Sequence, residues 1–158
     1  FAEMLAGELE ARNETMPRGP ISTKESAAIS TARRFYKIRS ANNAGAALWE
    51  SEDSTDWTVV HEDEKQFQIS PLNRFIFVKP IEHIDEALHV LEPIRESVST
   101  VGLAASEARM RDLALPLARW GVPRICPLGQ MQRPPLAWRH DGRPPLGELI
   151  RWADLETA

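Results

Sequence analysis

Trp138-Arg139-His140-Asp141-Gly142 gathers an aromatic ring, a cation and a titratable imidazole within one short stretch, downstream of an apolar segment that ends at Cys126. An imidazole gives and takes protons near neutral pH, an indole can wall an apolar substrate, and such side chains commonly sit on loops that follow sheet strands. The same residues admit a structural reading, because Asp141-Gly142 is a common turn dipeptide and Trp138 would serve as a packing anchor. The acidic run His61-Glu62-Asp63-Glu64 is a second candidate, read either as a solvated turn or as the source of a carboxylate that reaches a cofactor. Cys126 is the single cysteine of the 158 residues, so it is the one thiol the chain could offer as a nucleophile. Its place between Ile125 and Pro127 in an apolar strand reads instead as a buried, inert thiol.

Other chemistries lack their residues. There is no Gly-rich dinucleotide fingerprint, no phosphate loop, no Cys-x-x-Cys pair and no His-Glu-x-x-His spacing. His61, His83, His89 and His140 are scattered, so no metal site is expected. A formal net charge of -4 gives no broad attraction to nucleic acid, although Arg133, Arg139 and Arg143 make a local basic patch. With 42% hydrophobic and 27% charged residues the composition is that of a folded globular chain. No apolar run approaches the ~20 residues that a membrane helix needs. A lone cysteine excludes an internal disulfide, which favours a reducing compartment, and a cytoplasmic location is expected.

The elements that must position these residues follow from periodicity. Phe1, Met4, Leu5 and Leu9 share a helical face that ends at Pro17 and Gly19. This helix opens without a capping residue, which reads as a helix that extends before Phe1. Ser22-Thr23-Lys24-Glu25 has the spacing of a capping box, and Ala28, Ile29, Ala32, Phe35 and Tyr36 predict the buried stripe of a second helix. Ala46 to Trp49 and Trp57 to Val60 read as a hairpin around Ser51 to Asp56. Phe75 to Val78 reads as a strand covered on both faces, followed by a helix through Ile84, Ala87, Leu88 and Leu91 that Pro93 stops. Val98 to Ala104 and Val122 to Cys126 predict two more strands, joined by a helix from Glu107 to Arg119 that Ser106 caps and that should kink or break at Pro116. Pro123, Pro127, Pro134, Pro135, Pro144 and Pro145 are half of the 12 prolines, so 127–145 should be extended or turned, ahead of a short closing helix through Leu146, Leu149, Ile150 and Ala153. The alternation predicts an α/β fold: an open, mostly parallel sheet with crossover helices.

Three segments carry a resemblance to a known family: Ser70-Pro71-Leu72 before a strand, Val101-Gly102-Leu103-Ala104 before a long helix, and Arg124 to Gly142. Together they resemble the C-terminal end of the fatty acyl-CoA reductases associated with bacterial luciferase operons, members of the aldehyde dehydrogenase superfamily. The resemblance implies reduction of fatty acyl thioesters, on CoA or on an acyl-protein, to aldehydes with NADPH. It also implies a nucleophilic cysteine before Phe1, so that no catalytic residue falls in this chain. On this reading 1–158 is the C-terminal portion of one α/β catalytic domain, with 127–158 a proline-rich loop and closing helix within it, inactive when alone. Trp138 and His140 match the family's Trp-His-His-Asp-Gly pattern and would line the substrate, while Arg139 replaces an imidazole. The superfamily's ribose-binding glutamate corresponds to Phe67, so Glu64, or Glu62, would bind the cofactor from a shifted position. Expected partners are the acyl thioester, the missing N-terminal part of the enzyme and an acyl-protein synthetase, in an oligomer, with no nucleic acid. A non-catalytic binding module with a proline-rich tail and a generic aldehyde dehydrogenase relative remain the alternatives.

Overall fold

The computed structural model describes residues 1–42, 44–143, 147, 151 and 153–156, which fall into two compact units, Phe1–Glu82 and His83–Ala158. The first contains α1 (Ala2–Thr15), α2 (Thr23–Ala41), β1 (Ala46–Glu50), β2 (Thr58–Glu62) and β3 (Phe75–Val78). α2 begins at the capping box: Ser22 Oγ accepts from the Glu25 N–H at 3.2 Å, and the Glu25 carboxylate accepts from the Ser22 N–H at 2.7 Å. This satisfies donors that a helix start otherwise leaves unpaired. The Ser22 hydroxyl, also bonded to that carboxylate, holds Glu25 below the usual carboxylate range.

β1 and β2 form the expected antiparallel hairpin, with Leu48 opposite Val60 and Trp49 opposite Val59. β3 joins β2 in parallel, Thr58 opposite Phe75 and Val60 opposite Phe77, so β2 is central. Side chains alternate across a strand, and adjacent valines therefore serve different layers. Val59 packs with Ala2, Ala6 and Trp57 under α1, while Val60 packs with Ile29, Tyr36 and Phe75 under α2. Both valines are fully buried, each stabilising the unit by about 2 kcal/mol.

This central strand corrects several expectations. Full burial on both faces belongs to β2, whereas β3 lies at the sheet edge and encloses only Phe75. On α1 the buried contacts are made by the small Ala2 and Ala6, which let the helix approach Trp57 and Val59; Leu5 and Leu9 flank them, and Phe1 and Met4 are exposed. On α2, Ile29 and Tyr36 are buried as expected, but the position between them is Arg33, and Ala28 and Phe35 face outward. The stripe rotates because Arg33 finds partners in the hairpin that a hydrocarbon could not use.

The second unit contains α3 (Ile84–Leu91), a 3-10 turn over Glu92–Ser97, β4 (Val101–Leu103), α4 (Glu107–Trp120) and β5 (Ile125–Pro127). β4 and β5 pair in parallel, Gly102 opposite Cys126, with α4 as the crossover. Both strands are shorter than their apolar runs. The Val98 N–H closes the 3-10 turn onto the Arg95 carbonyl, and the Val122 N–H closes α4 onto the Leu117 carbonyl, so neither can join a ladder. α4 runs unbroken through Pro116, contrary to the expected interruption. Proline removes one donor there, while the ends are held by Ser106 as N-cap and by Gly121, whose left-handed φ of 116° turns its N–H back onto Leu117 and Ala118. Buried Leu117 anchors the turn that follows the proline. Of the predicted closing helix, Leu146, Leu149 and Ile150 lie outside the described residues, and Ala153 is not helical. Two of the three strand pairs are parallel, giving an α/β chain whose strands divide between two sheets.

Candidate functional site

Beyond β5 the chain turns repeatedly, because Pro127, Pro134 and Pro135 cannot donate to a ladder. Backbone bonds from Gln130 to Pro127, from Trp138 to Pro135 and from Arg143 to His140 mark successive turns. The Trp138 and His140 rings lie together, their centroids 4.8 Å apart and tilted by 58°. His140 Nδ1 lies 2.9 Å from Asp141 Oδ2. Asp141 adopts a left-handed φ of 48°, a conformation that aspartate tolerates better than most residues. The indole N–H of Trp138 is enclosed without a hydrogen-bond partner among the described residues. His140 and Asp141 are exposed and Trp138 is half-buried.

Arg124 precedes β5. Its side chain lies beneath this loop, with the residue 8% exposed. Nη1 donates to the Met131 carbonyl at 2.6 Å and Nη2 to the Gln130 carbonyl at 2.7 Å, while the guanidinium carbon sits 5.5 Å from the centre of the Trp138 ring. Gly102 of β4 allows the loop to lie this close: a Cβ there would come within 2.5 Å of Met131 Sδ. The available signal was a charged residue inside the apolar stretch Val122 to Cys126, since a buried arginine has to find acceptors. Which acceptors it finds is not visible locally.

In the first unit the acidic run separates into two kinds of carboxylate. Glu62 is fully buried, its oxygens 2.9 Å from Arg39 Nη1, 2.6 Å from Lys79 Nζ and 3.2 Å from the Tyr36 hydroxyl. That enclosure removes it from the solvated turn expected for the run. The Tyr36 hydroxyl lies 2.5 Å from Gln68 Oε1 as well, and burial, followed by the nearby negative charge of Glu62, pushes its pKa up to about 12. Glu64 is exposed. Its Oε1 accepts from the Gln66 N–H at 3.1 Å, and its carbonyl accepts from Lys79 Nζ at 2.6 Å, so the backbone is tethered while the other carboxylate oxygen has no partner among the described residues. A sugar hydroxyl is the kind of donor such an oxygen accepts. Phe67 is half-buried and offers no polar atom.

The structure therefore brings Trp138 and His140 together and places Glu64 in the other unit. Cys126 is buried in β5, as expected. Beside α2, outward-facing Phe35 joins Ala28, Ile69 and Phe77 around an open groove of about 710 Å³. Among the described residues no three His, Cys, Asp or Glu side chains gather as metal ligands, and no helix is long and apolar enough to cross a membrane.

Parallel strands joined through a helix, with polar and aromatic side chains on a loop past the carboxyl end of β5, define an α/β protein. The chain belongs to the acyl-CoA reductase (LuxC) family, whose model matches residues 1–152. No curated protein matches it.

Proposed function

We propose that this chain is the C-terminal segment of an oxidoreductase that reduces fatty acyl thioesters, on CoA or on an acyl-protein, to aldehydes with NADPH. The observation that carries this reading, given the family, is the Trp138–His140 pair on the loop beyond β5. The indole offers an apolar wall to an acyl chain, and the imidazole offers a proton carrier beside it. The family resemblance assigns the attacking thiolate to a cysteine before Phe1 in the intact enzyme, and Cys126 itself is buried. That thiolate forms a new carbon–sulfur bond to the acyl carbon as the bond to the CoA or carrier sulfur breaks. Glu64 suits the cofactor, since its unpartnered carboxylate oxygen can accept from a ribose hydroxyl. Bound there, the dinucleotide would supply a hydride. A cytoplasmic oligomer working beside an acyl-protein synthetase completes the proposal.

The test is NADPH consumption with a fatty acyl-CoA by the intact reductase, by a variant lacking the upstream cysteine and by residues 1–158 alone. Turnover in the intact enzyme only is expected. Turnover by residues 1–158 alone, or by the variant without that cysteine, would overturn the placement of the nucleophile. Trp138→Ala in the intact enzyme should raise KM for long acyl chains by about tenfold and for short ones by much less. Equal losses for both would count against a substrate-lining tryptophan.

A further inference from the structure

Desolvating a guanidinium is costly, and the cost is usually met with a carboxylate. Arg33 in the first unit follows that pattern, with Glu50 at 3.5 Å in addition to bonds to Thr58, Ser51, Ser54 and Trp57. Arg124 does not, for no carboxylate lies within ion-pair distance of it among the described residues. Its acceptors are two successive carbonyls, Gln130 and Met131, and its remaining contact is the face of Trp138. The planar fork thus binds both the start of the loop and the aromatic ring near its end. An ammonium group, compact and without a flat face, could not hold both. On the other side, the backbone carbonyl of Arg124 accepts from the Val101 N–H at 2.9 Å, which ties the arginine to the sheet.

We propose that Arg124 is a positioning residue for acyl-chain recognition, setting Trp138 on the β4–β5 pair. The proposal rests on the reading of Trp138 and His140 as substrate-lining. Its physical content is that the guanidinium acts through Trp138: removing it leaves the chemistry intact and loosens the wall against which the acyl chain packs.

The experiment uses the intact reductase carrying Arg124→Met, Arg124→Lys, Trp138→Ala and the Arg124→Met/Trp138→Ala pair, assayed with a long-chain and a short-chain acyl-CoA. Arg124→Met is expected to raise KM for the long chain by about tenfold, with kcat and the short-chain KM within about twofold, as suits the loss of a stacked, bidentate cation. Arg124→Lys should fall between, and Arg124→Met should have no further effect once Trp138 is alanine. Equal losses on both substrates, or an undiminished Arg124→Met effect in the Trp138→Ala background, would overturn the proposal. So would misfolding of both single Arg124 variants, because the residue would then determine the fold. A Trp138→Ala enzyme with unchanged long-chain KM would overturn the substrate-lining reading itself, whereas an effective Trp138→Ala beside a silent Arg124→Met would overturn only the role given to Arg124.

Discussion

In Phe1–Glu82 the buried Glu62 lies between two cations and a phenol, and the buried Arg33 is held by hairpin oxygens with Glu50 nearby; in His83–Ala158 the buried Arg124 meets carbonyl oxygens and an indole ring. The first arrangement ties α2 to the hairpin and β2 to the residue that follows β3. Its ions join elements that already share a hydrophobic core, so they fix register and rotation. The second arrangement ties a loop to a two-stranded sheet, where few side chains are buried and a guanidinium does the holding. Buried charge thus locks the fold in one unit and holds a surface loop in the other.

The contrast breaks most readily at Glu62. Glu62→Ala should cost about 3 kcal/mol in urea unfolding, near the low end for a broken buried pair because Arg39 and Lys79 keep some contact with water. Arg124→Met should cost clearly less, and equal losses would erase the difference between the units. Val59→Ala and Val60→Ala should each cost about 2 kcal/mol by the same measurement, since each leaves a cavity under a different helix. A silent change at either position would mean that only one face of β2 carries a core. Gly102→Ala should cost about 1.5 kcal/mol through the clash with Met131, and limited proteolysis should then cut the loop after Pro127 sooner. Ser22→Ala removes half of the capping box and should cost about 1 kcal/mol, read from the thermal midpoint.

The smallest effect is a titration. Tyr36 is the single tyrosine of the chain, so the difference in tyrosinate absorbance between the parent and Tyr36→Phe isolates it, and the midpoint should fall near 12. Burial and the charge of Glu62 favour the neutral phenol in the folded state, whereas in the unfolded chain the group ionises near its ordinary value of 10.0. Its contribution to stability is therefore complete below about pH 10 and is lost as pH rises towards about 12. A midpoint near 10 would mean that the Tyr36–Glu62 contact is open to water.

Elements defined by neighbours in sequence were readable from the chain itself. The capping box at Ser22 and Glu25, the cap at Ser106, the hairpin around Ser51 to Asp56 and the strand Phe75–Val78 each depend on a few adjacent side chains and on backbone geometry. So did the buried state of Cys126, which follows from its apolar neighbours. The left-handed run Leu72-Asn73-Arg74 gave no such signal, because only Asn73 among these tolerates positive φ well. It is held from a distance, where the Arg74 guanidinium donates to Asn13 and to the Met16 carbonyl, and Asn73 donates to Glu25.

The buried charges were decided by tertiary structure for the same reason. In sequence Glu62 looks like one member of an acidic run, and it becomes a core ion only when α2 supplies Arg39 and the residue after β3 supplies Lys79. Arg33 looks like the polar side of a helix until the hairpin folds over it. Trp138, His140 and Glu64 could be named from residue type and family pattern, but the ring contact, the enclosure of Arg124 and the difference between Glu62 and Glu64 needed the folded chain. Local propensity acts over one or two turns of backbone, whereas desolvation of a charge depends on every group that surrounds it, and those groups are brought together only by packing.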